Sequence, residues 1–177
     1  MLETQRLLLR EMDDGDFDAL RGILSDPRAM AHYPAPFDDD RVRRWIAWNR
    51  DNYARLGFGL WAVCLKDTGA LIGDCGVTMQ LIRGRRLPEI GYHIHPSHWR
   101  RGYAKEAAAR CRDFLFEETD FDAAYCYMKH TNVASAATAR AIGMQKVDEY
   151  ADDVNGVTAV YAMSRAAWRA LRAQAVR

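Results

Sequence analysis

The chain has 177 residues, of which 49% are hydrophobic and 28% are charged, and its formal net charge at pH 7 is +1. This length and balance predict one soluble globular domain, residues 1–177, that is long enough to bury a core. The near-zero charge gives no overall attraction to nucleic acid or an anionic membrane, and neither a signal segment nor a run of 18 apolar residues is visible. We therefore expect a cytoplasmic protein with no nucleic-acid or membrane partner.

Hydrophobic periodicity and end signals predict the elements of the N-terminal half. They are strands at 4–11, 59–65, 70–81 and from Pro88, and helices at 14–25 and 38–56. The acidic residues 38–40 suit the start of the second helix, and Gly57 suits its end. The turn at 66–69 is typical of a hairpin.

The same signals continue to the C-terminus. They predict helices at 101–118 and 132–142, strands at 123–129, 147–151 and 157–163, and a terminal helix or a frayed end from Arg165. This order of elements predicts an α+β domain with a mixed, mostly antiparallel sheet of about seven strands flanked by helices.

The four cysteines predict neither a disulfide framework nor a zinc knuckle. Cys64, Cys75, Cys111 and Cys126 are scattered and contain no C-x-x-C pair. We expect buried thiols in a reducing compartment.

Residues 98–106 form the most informative segment, because a basic turn containing one glycine lies between a predicted strand and a predicted helix. The first amides of a helix have no intrahelical acceptor and carry the positive end of its dipole. Gly102 allows a phosphate to approach the backbone, and Arg100 and Arg101 add formal charge. From these residues alone, an anion site and an ordinary strand-to-helix turn with a solvated basic edge are both open.

The segment Trp99-Arg-Arg-Gly-Tyr-Ala104 resembles the acyl-CoA pyrophosphate loop of the GNAT N-acetyltransferase superfamily, in the version common among Rim-type ribosomal-protein acetyltransferases. Two further segments agree in order and spacing, namely Glu89-Ile-Gly-Tyr92 upstream and Asn132 to Ser135, followed by Ala141 to Met144, downstream. The resemblance covers nearly the whole chain, from residue 4 to the strand near residue 161. It implies a single GNAT-like domain that uses acetyl-CoA.

The resemblance also implies which residues bind acetyl-CoA. The turn would bind the pyrophosphate, the strand before it would pair through its backbone with the pantetheine amides, and Asn132 would bind the pantetheine arm while capping its helix. The implied set is Tyr92, His93, Ile94, Arg100, Arg101, Gly102, Tyr103, Ala104, Lys105 and Asn132.

Two residues are implied in catalysis. Glu89 would deprotonate the amine, although it could instead cap the strand or pair with Arg85 or Arg86. Ser135 would relay a proton to the departing thiolate, although it could be only a small helix-face residue. Many GNAT enzymes have a tyrosine acid further along this helix, and residues 136–141 contain none.

The acceptor should lie against the aromatic residues of the early helices. Tyr33, Trp45 and Trp61 are our candidates for lining its pocket, within an aromatic set of which part belongs to the core. His93 and His95 alternate on one strand face, but no carboxylate or cysteine is grouped with them in the sequence, so we predict no metal site.

These observations favour an acetyl-CoA-dependent N-acetyltransferase that transfers an acetyl group directly to a primary amine, either a protein N-terminus or a small molecule. No cysteine–histidine motif supports an acyl-enzyme. The alternatives are a catalytically idle acyl-CoA-binding sensor or regulatory module and an interaction module that kept only the fold. A homodimer is possible.

Overall fold

The computed structural model describes residues 1–175, with side chains for residues 1–174. The strands are β1 (Leu2–Glu3), β2 (Leu7–Arg10), β3 (Leu60–Leu65), β4 (Leu71–Ile82), β5 (Arg85–Ile94), β6 (Ala123–Lys129), β7 (Gln145–Asp152) and β8 (Gly156–Ser164). The helices are α1 (Phe17–Leu24), α2 (Asp39–Leu56), α3 (Tyr103–Glu118), α4 (Val133–Ala141) and α5 (Arg165–Ala175).

Within residues 1–175 the strands form one eight-stranded sheet in the order β1-β2-β3-β4-β5-β6-β8-β7. Every neighbouring pair is antiparallel except β5 and β6. The predicted α+β fold with a mixed, mostly antiparallel sheet is confirmed. The eighth strand is the two-residue β1, which lies before the first predicted strand (4–11), and of that predicted strand only Leu7–Arg10 is extended.

Local signals account for the ends of the helices. The side chain of Asp38 accepts from the amide of Arg41 at 2.7 Å, and Gly57 ends α2 with a φ of 77°. Asp14–Asp16 form a 3-10 turn with a capping box, so α1 begins later than predicted, at Phe17. The terminal segment forms α5, which is helical from Arg165 to Ala175 rather than frayed.

The sheet separates two apolar clusters, as alternation along β3 requires. Trp61 and Val63 belong to the cluster that contains the buried face of α3, whereas Leu60 and Ala62 belong to the cluster under α1 and α2. All four cysteines are buried and free, as predicted. No helix within residues 1–175 combines the length and apolar character needed to cross a bilayer.

Candidate active site

The site begins where β5 and β6 separate. These strands pair only between Glu89 and Tyr125, whereas β5 stays paired with β4 as far as Ile94. Successive strand residues direct their backbone groups to alternate edges, and the amide of His95 is bonded to β4. Tyr92 and Ile94 therefore direct theirs into the gap between β5 and β6. The gap is an open strand edge of the kind that can bind the amides of an extended ligand.

His93 was predicted to offer its backbone to the cofactor, but its amide points the other way. The amide donates to Oδ1 of Asp74 on β4 at 3.1 Å. The carbonyl of Ile94 already accepts the indole N–H of Trp99 at 2.6 Å. Of the three predicted residues, Tyr92 and Ile94 are thus the ones whose backbone faces the gap.

The basic turn lies between β5 and α3. Arg100 and Gly102 both have left-handed backbone conformations, with φ values of 59° and 81°. Gly102 is the N-cap of α3, and no side chain makes a capping hydrogen bond there. The first amides of α3, beginning at Tyr103 and Ala104, are therefore directed at an open surface, which suits an anion. The side chains of Arg101 and Lys105 are exposed beside it.

Arg6 supports this turn, and the sequence analysis assigned it no role. Its guanidinium donates to the carbonyl of Arg101 at 3.0 Å and lies 4.5 Å from the ring centre of Tyr103. It also forms a 2.6 Å ion pair with Glu106 on the first turn of α3. The hydroxyl of Thr4 donates to the same carboxylate. The only signal in the sequence was the position of Thr4 and Arg6 in the segment that resembles the family.

On the other side of the gap, Asn132 caps α4 as predicted. Its Oδ1 accepts from the amide of Ser135 at 3.1 Å, which leaves the side-chain NH2 group for a ligand. The hydroxyl of Tyr92 lies 2.9 Å from Oγ of Ser135 and donates to the carbonyl of Ser135 at 2.9 Å. Burial raises the pKa of Tyr92 well above its ordinary value.

Glu89 is buried, with 9% of its surface exposed. Its Oε2 accepts from the hydroxyl of Thr78 at 3.2 Å, and within residues 1–175 no lysine or arginine forms an ion pair with it. Burial raises the pKa of Glu89 to about 7, because the Thr78 hydroxyl and the nearby His93 offset only part of that effect. A Cβ at Gly91 would lie 3.1 Å from Oε2, so this glycine leaves room beside the carboxylate. A buried carboxyl that titrates near neutrality is suited to accept a proton.

Tyr33 and Trp45, two of the residues predicted to line the acceptor pocket, both contact His93 on the Glu89 face of the sheet. Oη of Tyr33 lies 2.8 Å from Nε2 of His93, whose Nδ1 lies 2.7 Å from Oδ1 of Asp74. The indole N–H of Trp45 donates to Oδ2 of Asp74 at 2.9 Å. The sequence did not point to Asp74, because nothing local in a predicted strand indicates that an aspartate will face His93 on the neighbouring strand.

Trp61 does not join this group. Its side chain is 3% exposed and packs edge-on against Phe114 of α3, with ring centres 5.0 Å apart. It therefore lies on the opposite face of the sheet from Tyr33 and Trp45. Alternation along β3 explains the difference, and Trp61 is a core residue rather than a wall of an acceptor pocket.

The two histidines considered for a metal site, His93 and His95, are hydrogen-bonded to neighbouring side chains. His93 is held by Asp74 and Tyr33, and Nδ1 of His95 lies 2.7 Å from Oγ of Ser97. Residues 1–175 contain no group of three or more histidine, cysteine and acidic side chains able to hold a metal ion.

The fold and the site together define an acetyltransferase. The family model described as "Acetyltransferase (GNAT) domain" matches residues 6–145. The chain is 39% identical over 144 residues to YkkB, an uncharacterized protein of Bacillus subtilis strain 168, covering 81% of this chain and 84% of YkkB. It is 29% identical over 147 residues to p20, an uncharacterized N-acetyltransferase of Bacillus licheniformis, covering 82% of both chains.

The fold is likewise similar to a solved structure. The crystal structure of the acetyltransferase from Agrobacterium tumefaciens str. C58 superposes with a TM-score of 0.80 at 29% identity, covering 92% of each chain. The chain belongs to the GNAT acetyltransferase family, and it is an N-acetyltransferase.

Proposed function

We propose that this enzyme uses acetyl-CoA to acetylate a primary amine by direct transfer, without an acyl-enzyme. The observation that carries the proposal is the gap between β5 and β6. It connects an uncapped helix N-terminus at Gly102 with a buried carboxyl, Glu89, whose pKa is about 7.

The cofactor would bind along this gap. The first amides of α3, with Arg100 and Arg101 beside them, would bind the pyrophosphate, as helix N-termini bind phosphate groups. The pantetheine amides would pair with the backbone of Tyr92 and Ile94, as an added strand does. Asn132 would donate its free side-chain NH2 group to the pantetheine arm. The acetyl group would then reach the Glu89 face through the gap.

Chemistry would begin with the amine in its protonated form. Glu89 takes a proton from the ammonium, directly or through one water, and the neutral nitrogen attacks the thioester carbonyl carbon. The tetrahedral intermediate collapses as the C–S bond breaks and the amide forms, and the nitrogen releases its second proton to solvent water. The departing sulfur takes a proton from the hydroxyl of Ser135, which Tyr92 can replace through their 2.9 Å contact, and solvent water returns a proton to Tyr92.

The Rim-type character is part of the proposal. It rests on the segment from Trp99 to Ala104, in which Trp99 bonds to Ile94 and so connects the turn to the end of β5. A protein N-terminus and small-molecule amines are the acceptor classes we propose.

Two measurements test the function. Calorimetry with coenzyme A should show binding, and an assay of thiol release from acetyl-CoA should show turnover with at least one of spermidine, benzylamine and a peptide that begins with alanine. Binding without release on any amine would indicate the idle sensor. The absence of binding would indicate that only the fold was kept.

A further inference from the structure

Asp74, His93 and Tyr33 form one hydrogen-bonded chain on the Glu89 face of the sheet. Asp74 is at the buried end, with none of its side chain exposed, and Tyr33 is at the outer end, 40% exposed. His93 lies between them with 8% of its side chain exposed. The chain therefore connects a fully buried charge with a side chain that a ligand can reach.

The hydrogen bonds at Asp74 determine which nitrogen of His93 carries a proton. The carboxylate accepts the amide and Nδ1–H of His93 at Oδ1 and the indole N–H of Trp45 at Oδ2. A carboxylate can only accept, so Nδ1 must be the donor. In neutral His93, Nε2 is then an acceptor for the hydroxyl hydrogen of Tyr33, and the Tyr33 oxygen keeps a lone pair for a second donor. In cationic His93, Nε2–H donates instead and the hydroxyl hydrogen turns away from His93.

Tyr33 also lies on the acceptor side of the proposed reaction. His93 is on the same face of β5 as Glu89, because the residues are four apart on a strand of period two. Tyr33 belongs to the connection between α1 and α2, and its ring is 5.5 Å from that of His93. Phe37 and Trp45, which continue the aromatic cluster, are buried and half-buried. Tyr33 is thus the member that a ligand near Glu89 would meet first.

We infer that Tyr33 contacts the acceptor amine and that Asp74 and His93 are positioning residues that keep its hydroxyl hydrogen turned inward. The inference rests on the proposed acetyl transfer. The Tyr33 oxygen then accepts a hydrogen bond from the incoming ammonium, which holds the amine beside Glu89 until its proton is taken. Protonation of His93 turns the Tyr33 hydrogen outward, so the ammonium loses its acceptor.

The charged and titratable groups around His93 are Asp74 from β4, Glu89 from its own strand and Tyr33 from the connection, while α2 contributes the indole of Trp45. Burial by itself lowers the pKa of His93, but the carboxylates of Asp74 and Glu89 more than offset that effect and raise it above 6.5. Acceptor affinity should therefore fall as the pH drops through this raised value.

The test compares Tyr33→Phe and Asp74→Asn with the wild-type enzyme, using whichever of spermidine, benzylamine and the alanyl peptide the wild type acetylates fastest. Tyr33→Phe should raise the KM for the amine about tenfold, with kcat within about twofold and coenzyme A affinity unchanged, because one hydrogen bond to a charged group is lost. It should also remove the part of the pH dependence of KM that follows the titration of His93. Tyr150→Phe, on β7 at the far edge of the sheet, is the matched control and should change neither constant.

Asp74→Asn keeps the size of the side chain but removes its charge and one of its two acceptor atoms, so Nδ1–H of His93 loses the charged acceptor that keeps the proton on Nδ1. The KM for the amine should rise as in Tyr33→Phe, and the double variant should be no worse than either single one. NMR titration should show a lower pKa for His93 in Asp74→Asn, and this readout does not depend on activity or on the acceptor.

Unchanged KM values in both variants of an active enzyme would overturn the inference and leave the proposed function standing. An unchanged His93 titration in Asp74→Asn would also overturn it. A wild-type enzyme that releases no thiol with any of the amines would overturn the proposed function, and this inference with it.

Discussion

The hydroxyl of Tyr92 lies 2.9 Å from Oγ of Ser135, although the two residues are 43 positions apart in the chain. Tyr92 belongs to β5 and Ser135 to α4, on opposite sides of the gap proposed for the cofactor. Helix α4 carries no tyrosine, so the sheet brings a phenol to the position where the helix lacks one. If the phenol donates to Oγ, the serine hydrogen is free to reach a thiolate.

We predict that Ser135→Ala slows the chemical step about tenfold, because water can substitute only in part for the hydroxyl. Tyr92→Phe should have a similar effect, since the phenol replaces the proton that Ser135 gives up. Single-turnover rates with acetyl-CoA measure this step, and calorimetry should show unchanged coenzyme A affinity in both variants.

The double variant distinguishes a relay from two separate effects. Because both residues act on one proton, the double variant should be about as slow as either single variant. If the rate losses of the two single variants multiplied in the double variant, or if Ser135→Ala kept the wild-type rate, the departing sulfur would be protonated by another route.

Glu89→Gln should lower kcat/KM by about 10²–10⁴-fold, the usual contribution of a general base. In the wild type the rate should rise as the pH increases through about 7, where the carboxyl loses its proton. This acidic limb should be absent in the variant, and coenzyme A affinity should be kept. A variant with the wild-type rate and pH profile would make Glu89 a structural residue.

The same carboxyl should make stability depend on pH. Between its ordinary pKa of 4.5 and about 7, the folded state holds a proton that the unfolded state has released. The free energy of unfolding should therefore fall as the pH rises through this window. Glu89→Gln removes the effect, so the variant should gain up to about 3 kcal/mol over the wild type between pH 4 and pH 8. Urea unfolding of both proteins at pH 4 and at pH 8 measures this gain. If the variant and the wild type differed in free energy of unfolding by the same amount at both pH values, the raised pKa of Glu89 would be contradicted.

Gly102→Val should abolish detectable coenzyme A binding. The left-handed backbone at Gly102 disfavours a β-branched residue by about 1–3 kcal/mol, and a side chain there would cover the amides of α3. Gly69→Val is the matched control, because Gly69 also has a positive φ but lies in the β3–β4 hairpin; a Cβ there would meet nothing within 4 Å, whereas one at Gly102 would lie 3.4 Å from Nη2 of Arg6. Both variants should lose similar stability, and only Gly102→Val should lose binding in calorimetry.

Arg6→Met should weaken coenzyme A binding about tenfold, which corresponds to about 1.4 kcal/mol. The change removes the bond to Arg101 and the ion pair with Glu106 but keeps most of the apolar stem. Stability should fall by about 1 kcal/mol, because the guanidinium of Arg6 is partly exposed and Thr4 still donates to Glu106. Arg21→Met breaks a more exposed arginine–carboxylate pair, with Asp39, and should leave affinity unchanged. Equal affinities in both variants would show that Arg6 does not shape the turn.

Much of the fold could be predicted from local signals. Asp38 and Gly57 mark the ends of α2 because capping and left-handed termination depend on adjacent residues. The turn around Gly102 and the cap at Asn132 were found for the same reason. The predicted boundaries of α1 and β2 were less accurate. At α1, a capping box forms a 3-10 turn before the helix begins.

The contacts that complete the site depend on the tertiary structure. Asp74 meets His93 because β4 and β5 pair in one register, and a shift of one residue would send the two side chains to opposite faces. The same alternation put Trp61 in the core, where the sequence suggested an acceptor wall. Arg6 reaches Glu106, and Tyr92 reaches Ser135, only after α3 and α4 pack on the sheet. Local chemistry thus determined the elements and the anion turn, whereas strand register and packing decided which side chains meet, because these contacts join residues far apart in the chain.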